Sequence, residues 1–293
     1  DNNVAFGHLS LTTDTLGSRN TALGYATLQN QNFTTATNSN NTAVGYAAGS
    51  SLTTAQECTL IGSRAGMAIT DANDNVAVGY KALENETRGS RNTAIGHDAL
   101  GTQNTTTSTA IYNTAVGHTA GTSITTGVEN TLIGGLAGDA LTDADYNVTL
   151  GYNTLTADTL GSNTVAIGHY SFFTQNFTTA TNALNVGVGN NTGRLVTTAT
   201  STTCIGHGAG SAITTGAENI CIGRDAGNHA ISLQTGGSNT VIGTFADTSA
   251  TGSNSQIVLG RDVTGSGDST FTFGNGTSDS AIANGATSIS APS

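Results

Sequence analysis

The chain lacks most of the residues from which a conventional hydrophobic core is built. It has no Trp, a single Pro and a single Met, and Phe, Tyr and Trp together make up 5% of its 293 residues. Charged residues account for 9%, well below the usual share of roughly a quarter. Such a composition is typical of disordered chains, but a strict internal period favours a folded array.

The shortage of charge and of apolar runs excludes several kinds of partner. Eight Lys and Arg against 19 Asp and Glu give a net charge of −11, which disfavours nucleic acid as a partner. No apolar run approaches the ~20 residues of a membrane span, so we expect no membrane insertion. The chain begins at Asp1 without Met or a signal-like segment, so we expect a mature or trimmed product.

Motifs for catalysis and for structural metals are also missing. The three cysteines form no CxxC pair, and we expect Cys204 and Cys221 to be small buried residues rather than a disulfide or zinc ligands. There is no nucleophile elbow, phosphate loop, HExxH motif or recurrent pair of carboxylates. We therefore expect a protein that is not an enzyme and that carries no cofactor.

What the chain does have is a repeat marked by glycine. Fifteen copies of a short motif end in Gly, usually with Asn four positions earlier. The distance from one anchor glycine to the next is the same for three steps and longer by four residues for the fourth step. These four steps form a larger repeat, the super-period, which leads from Gly24 to Gly96 and on to Gly168. A short period of this kind is typical of a solenoid. The anchor glycines are Gly7, Gly24, Gly45, Gly62, Gly79, Gly96, Gly117, Gly134, Gly151, Gly168, Gly189, Gly206, Gly223, Gly243 and Gly260.

The three residues before each anchor glycine predict a short strand. The first is β-branched, the last is aliphatic or Phe, and the middle one is mostly Ala, which is the period-2 alternation of a strand. We expect Thr42 and Val44 to pack inward, and Ala43 with Gly45 to let a neighbouring chain approach. A second apolar position in each coil, such as Leu52, predicts a second strand.

These patterns predict an all-β fold, a repetitive β-solenoid or β-roll of about fifteen coils over residues 1–262, followed by a C-terminal cap segment, 263–293. So thin a coil buries little apolar area at ~25 cal/mol per Å², against an ordering cost of ~1–2 kcal/mol per residue. Association of several chains through the Ala/Gly face would offset that deficit. We expect a homo-oligomeric fibre, with three-fold symmetry as the leading choice, although these residues do not fix the number.

The segments "NNTAVGYAAG", "NTAIGHDAL", "NTLIGGLAG" and "NVAVGYKAL" resemble the "N-S-V-A-I-G" repeat of YadA-like trimeric autotransporter adhesin heads. The resemblance covers residues 2 to about 262. It implies a left-handed parallel β-roll in which three chains pack around an axis. The coils of this chain are longer than is usual in those heads, which leaves the coil shape open.

The last segment, "STFTFGNGTSDSAIANGATSISAPS", is similar to the run that precedes the intramolecular chaperone of bacteriophage tail fibres and spikes. In that family the chaperone aligns three chains and then cuts itself off after a Ser that precedes Asp. The resemblance implies that Ser293 is the end left by autocleavage.

The longer spacing after Gly24, Gly96 and Gly168 predicts a longer loop in every fourth coil. These loops carry a large share of the few aromatic residues, which makes them candidate receptor contacts. The alternative is that the rings fold back and cover the longer turn. The candidates are Phe33, Tyr112, Phe172, Phe173 and Phe177.

Two equivalent acidic turns, "TDANDN" and "TDADYN", could hold Ca²⁺ through Asp71, Asp74, Asp143 and Asp145. The alternative is that these side chains close their own turns.

His and Tyr share the position after the anchor glycine, from His8 onward. That column predicts either rings that stack from coil to coil or a metal-binding ladder.

The leading interpretation is a structural fibre protein on a virion exterior that displays loops for host attachment or serves as a rigid spacer. Its expected partners are copies of itself, other fibre or baseplate proteins and a host-surface glycan or protein. One alternative is the head of a bacterial trimeric autotransporter adhesin, on the outer-membrane surface. Another is a polysaccharide-degrading tailspike. All three place the protein outside the cell.

Overall fold

The computed structural model describes residues 2–283, so the expected autocleavage end, Ser293, lies outside the described residues. The fold is all-β, and no helix occurs within residues 2–283. The chain divides into two units, Asp1–Tyr146 and Asn147–Ser293. Both are β-solenoids with coils about 17 residues apart, about 16 turns in all, which confirms the expected fold class.

The first unit stacks one three-residue strand from each coil into a parallel sheet. Equivalent positions pair in register, so that Ala22 lies beside Ala43 and Ala43 beside Leu60. The strands of this unit are β1 (Val4–Phe6), β2 (Gly17–Ser18), β3 (Thr21–Leu23), β4 (Thr37–Asn38), β5 (Thr42–Val44), β6 (Thr59–Ile61), β7 (Val76–Val78), β8 (Gly89–Ser90), β9 (Thr93–Ile95), β10 (Thr109–Ala110), β11 (Thr114–Val116) and β12 (Thr131–Ile133). The two-residue strands pair separately, β2 with β4 and β8 with β10.

The second unit repeats this arrangement and ends in a hairpin. Its strands are β13 (Val148–Leu150), β14 (Gly161–Ser162), β15 (Val165–Ile167), β16 (Thr181–Asn182), β17 (Val186–Val188), β18 (Thr203–Ile205), β19 (Ile220–Ile222), β20 (Thr240–Ile242), β21 (Ile257–Leu259), β22 (Thr270–Phe273) and β23 (Ser280–Ala283). β22 still pairs parallel with β21, but β23 pairs antiparallel with β22. The stacking therefore extends beyond the expected boundary at residue 262 before the chain reverses.

The anchor glycine is required by both backbone conformation and space. Gly45 has φ = 132°, a backbone conformation that residues other than glycine rarely adopt. A Cβ on Gly45 would lie 2.6 Å from the carbonyl oxygen of Gly62, the anchor of the next coil. Successive coils therefore approach too closely at the anchor position for any other residue.

The strands face the opposite way from the sequence expectation. Ala43 is fully buried, whereas Thr42 and Val44 are only half-buried. The prediction that Thr42 and Val44 pack inward and that Ala43 meets another chain is wrong. The reason is space: the narrow interior is already filled by side chains from the rest of the coil, such as Leu28 and Leu52, and leaves room for only a small residue in most strands.

The prediction of two strands per coil is also wrong for most coils. The second apolar positions are fully buried, but they lie outside any strand, each directly after a run of turns; they are Leu52, Ile69, Ile124, Leu141, Val196 and Ile213. After the anchor Gly45, Ala47 and Gly49 have φ of 53° and 57°, in the left-handed region. Alternate left-handed residues prevent an extended backbone, so this side of the coil is a series of turns.

The recurrent asparagine forms a buried ladder that joins consecutive coils. The Oδ1 of Asn41 accepts the backbone N–H of Cys58 at 2.9 Å, and its own N–H donates to Oδ1 of Asn20 at 3.0 Å. Its Nδ2 donates across the coil to the carbonyl of Ala55 at 2.8 Å. Each asparagine side chain thus satisfies buried backbone groups of the following coil, as stacked amides of a solenoid are expected to do.

Candidate assembly face and loop sites

The outward side chains of the strands form an apolar surface in each unit, here called the outer face. Phe6 in the first unit is 74% exposed and Leu150 in the second is 48% exposed. The outer face comprises Val4, Phe6, Leu23, Ile61, Ile95 and Ile133 in the first unit, and Val148, Leu150, Val188, Ile205, Ile220, Ile257 and Leu259 in the second. Exposed aliphatic side chains repeated along a stack of strands are typical of an interaction surface.

A column of rings borders the outer face. In the first unit His8, Tyr25 and Tyr46 stack with centroids 5.5 and 5.3 Å apart. Tyr80, His97 and His118 continue it at spacings of 5.1 Å. Tyr152 stacks on His169 at 5.7 Å in the second unit. The predicted coil-to-coil stacking of rings is confirmed, and residues 2–283 contain no group of three or more His, Cys, Asp or Glu side chains arranged to hold a metal.

The same column becomes cationic in the second unit. Arg224 and Arg261 occupy it and line a cavity of about 340 Å³ with Thr244 and Phe245. The Arg224 guanidinium lies 4.2 Å from the centre of the Phe245 ring. Each arginine also has a neighbouring carboxylate, Arg261 Nε lying 3.0 Å from Asp262. These local ion pairs offset the positive charge of the cavity.

Most of the loop aromatics do not face solvent. Phe33 and Phe177 are buried and Phe172 is fully buried, so the prediction that these rings contact a receptor is wrong. The longer turn leaves interior space, and the rings fill it, as the alternative interpretation expected. Phe173 is half-buried, and its ring meets Tyr170 edge-on at 5.0 Å.

Tyr112 is the one candidate that is well exposed, at 50%. Its hydroxyl accepts a hydrogen bond of 2.7 Å from Nη1 of Arg91, whose guanidinium lies 5.5 Å from the centre of the ring. This hydrogen bond raises the pKa of Arg91 above its usual value. Tyr112 therefore presents an oriented ring to solvent.

The acidic turns are already paired within the protein. Asp71 lies 3.6 Å from Nε of Arg88 and accepts a 3.3 Å hydrogen bond from Ser108, and Asp74 lies 3.5 Å from Nε of Arg91. In the equivalent turn, Thr126 donates to Asp143 at 2.5 Å and the N–H of Val128 donates to Asp145 at 2.8 Å. A calcium ion would have to displace these partners, so the arrangement favours turn closure and ion pairing.

An open depression of about 260 Å³, here called the polar groove, lies between one acidic turn and the second long loop. Its walls come from the turn at 71–74, from strand β8 and from strand β10. The residues that line it are Asp71, Asn73, Asp74, Ser90, Arg91, Ser108, Thr109 and Ala110. The groove thus combines carboxylates, a guanidinium, an amide and hydroxyls at the surface.

A carboxylate, half-buried in the first copy and fully buried in the other two, fixes the base of each long loop, and sequence reasoning missed it. Glu86 is fully buried and accepts backbone N–H groups of Arg88, Gly89 and Thr105 at 2.9, 2.7 and 3.1 Å. Gln103 donates to it at 2.8 Å and accepts from Asn113 at 2.9 Å. Asp14 and Asp158 hold the other two loops in the same way. The three positions recur at the super-period, which is the signal that could have revealed them.

The cysteines are free and buried, as expected from their spacing. Cys204 and Cys221 lie beside each other on β18 and β19. Their mutual hydrogen bond, together with burial, raises the pKa of Cys204, and burial raises the pKa of Cys58 to about 12. Neutral buried thiols are poor nucleophiles, which gives these residues a packing role.

Comparison of the chain with family models, with curated proteins and with solved structures gives no match in any of the three. Among residues 2–283, no helix could span a membrane.

Proposed function

We propose that this chain is a structural segment of a fibre on a virion exterior, that it assembles as a homotrimer through its outer faces, and that its loops serve host attachment. The observation that carries the proposal is the outer face itself. Thirteen large aliphatic or aromatic side chains on the strands stay well exposed in a protein that has few of them. Half-burying a Leu or Ile in an interface contributes ~1 kcal/mol, so many copies on three chains suffice for stable association.

The interface in this proposal differs from the one expected from the pattern of small residues. Because Ala43 and its equivalents line the coil interior, they are unavailable to a neighbouring chain. The aliphatic residues on either side of them face outward and take over that role. Three chains would thereby bury apolar surface that a single chain leaves in water.

Sedimentation equilibrium of the purified protein at micromolar concentration tests the assembly. A particle of three times 29.2 kDa is expected. The double variant Ile95→Glu/Ile133→Glu, on the outer face of the first unit, should dissociate to monomer. Thr107→Glu, at an exposed position in the second long loop, is the matched control and should stay assembled. A compact, folded monomer of wild-type protein would refute the proposal.

The head of a bacterial surface adhesin is the second candidate, since the resemblance of the repeats to adhesin heads favours it. Sequence beyond Ser293 separates the two: Asp followed by a chaperone domain supports the fibre, whereas a coiled coil and membrane anchor support the adhesin. A polysaccharide-degrading spike is less well supported, because Asp71 and Asp74 are each close to an arginine.

A further inference from the structure

The super-period lets its middle copy be compared with its own neighbours in the sequence. Positions separated by one super-period occupy equivalent places in the repeat. A residue of the middle copy that differs from its counterparts in both the first and the third copy is here called a departure, and it marks a local specialisation. Four such departures lie close together in the middle copy. They are Arg88 where the counterparts are Leu16 and Leu160, Ser108 for Ala36 and Ala180, Ala110 for Asn38 and Asn182, and Tyr112 for Asn40 and Leu184.

Two of the four departures, Ser108 and Ala110, line the polar groove, and the other two contact residues that line it. Arg88 and Ser108 both contact the carboxylate of Asp71, at 3.6 and 3.3 Å. Tyr112 accepts the hydrogen bond of Arg91, a residue that lines the groove. Ala110 also lines it and, being smaller than Asn, leaves space there. The coil needs none of these residues, because the flanking copies lack them.

The chemistry of the groove selects a class of ligand. Asp71 and Asp74 accept hydrogen bonds, Arg91 donates them, and Ser90 and Ser108 do both. A simple anion would meet two carboxylates, and a simple cation would meet two guanidinium groups. Only Ala110 among the lining residues is apolar, so a hydrophobic ligand finds little surface. A ligand with closely spaced neutral hydroxyl groups fits best, because each hydroxyl can both donate to and accept from the alternating donors and acceptors of the groove.

We propose that the polar groove binds a neutral saccharide, with the half-exposed ring of Tyr112 flanking a sugar ring. This inference rests on the proposed attachment role and names the receptor chemistry for it. Arg91 donates to sugar hydroxyls, and Asp71, Asp74 and the oxygen of Ser108 accept from them. The apolar face of a sugar ring packs on the aromatic ring, which otherwise stays in water.

The test is binding of the full chain to an array of neutral and acidic oligosaccharides, followed by titration calorimetry with the best neutral one. The variant Arg88→Leu/Ser108→Ala/Tyr112→Leu converts three of the four departures to the residues that the third copy carries, so the fold should tolerate it. We expect at least a tenfold loss of affinity with an unchanged unfolding midpoint. Ala36→Ser, at the counterpart of Ser108 in the first copy, is the control and should bind like wild type.

The proposal is overturned if wild-type protein binds no neutral oligosaccharide, if it binds only acidic ones or Ca²⁺, or if the triple variant binds as well as wild type. Adsorption of fluorescent protein to bacterial cells separates this failure from failure of the attachment role. Adsorption that persists in the triple variant refutes the groove but keeps attachment. Saccharide binding by a protein that adsorbs to no bacterial surface keeps the groove and refutes attachment.

Discussion

The interior of the coils is packed by pairs of residues whose sizes compensate, which can be tested by exchanging one pair. Leu28 and Ala43 in the first copy correspond to Phe172 and Gly187 in the third. Phe172 is fully buried, and a Cβ on Gly187 would lie 2.8 Å from its ring. The larger ring is therefore accommodated by the loss of one methyl group on the facing strand.

Each single exchange should destabilise the protein. Gly187→Ala forces the new methyl against the Phe172 ring, and overpacking of this kind costs about 1–3 kcal/mol. Phe172→Leu leaves a small cavity beside Gly187 and should cost about 1 kcal/mol. The double variant rebuilds the Leu/Ala pair of the first copy, so its loss should be under about 1 kcal/mol. The expected interaction energy is then about 1–3 kcal/mol of compensation.

The hydroxyl groups near Gly187 do not prevent this repacking. Ser171 and Thr192 hydrogen-bond to each other at 2.8 Å beside Gly187. In an equivalent coil of the first unit, Ser10 and Thr27 form the same 3.0 Å pair beside Ala22. A methyl group is therefore compatible with the pair.

Urea unfolding at one fixed protein concentration measures the four-member cycle, because association would otherwise shift the midpoints. Gly252→Ala is the matched control, since a Cβ there meets only Thr235 Oγ1 at an ordinary 3.4 Å. It should change the free energy of unfolding by less than about 0.5 kcal/mol. If the losses of Gly187→Ala and Phe172→Leu simply add in the double variant, size compensation is refuted.

Three further outcomes follow from buried polar groups. Asn41→Ala should lower the free energy of unfolding in urea by about 2–3 kcal/mol, because it leaves the buried N–H of Cys58 without an acceptor. Asn30→Ala, on the surface, is the control and should be nearly neutral. Equal effects of the two substitutions would contradict the asparagine ladder. Glu86→Gln keeps an oxygen for the backbone N–H groups but replaces Oε2, the acceptor of the Gln103 amide, with an NH2 donor; it should cost a similar amount, with increased proteolysis of the second long loop as the local readout. Burial raises the pKa of Cys58 to about 12, so the neutral thiol stabilises the fold fully below pH ~9. As the pH rises from ~9 to 12, the free energy of unfolding should fall by up to ~1.4 kcal/mol per pH unit. Cys58→Ala should reduce that alkaline slope, and an identical slope in the variant would exclude the thiol as its source.

The sequence predicted the coil spacing and the fifteen strands that precede the anchor glycines, because a regular period can be read without knowing what packs against what, but it did not predict β22 and β23. It could not predict which face of the strand points inward. The alternation of Thr42, Ala43 and Val44 is the same in either orientation, and the usual rule places the larger residues inside. Here the interior is filled from elsewhere in the coil, so the rule reverses.

The candidate sites show the same limit. Ring stacking next to the anchor glycine was predictable because residues at the same position of consecutive coils lie directly above one another. The fate of the loop aromatics was not, since it depends on the interior space that the longer turn creates. Phe33 and Phe177 fill that space, whereas Tyr112 lies outside it beside Arg91. The carboxylates at the loop bases went unnoticed because Asp14, Glu86 and Asp158 are not all the same residue.

Size-matched packing also bears on how such a gene can change length. Recombination between misaligned copies adds or removes whole super-periods. Gly49 lies against Leu60 and Leu28 as Gly121 lies against Leu132 and Leu100, so a crossover between the first two copies joins compatible surfaces. A crossover that separates Phe172 from Gly187 instead places the large ring against Ala. Sequence drift inside the coils therefore restricts the junctions at which the gene can expand or contract.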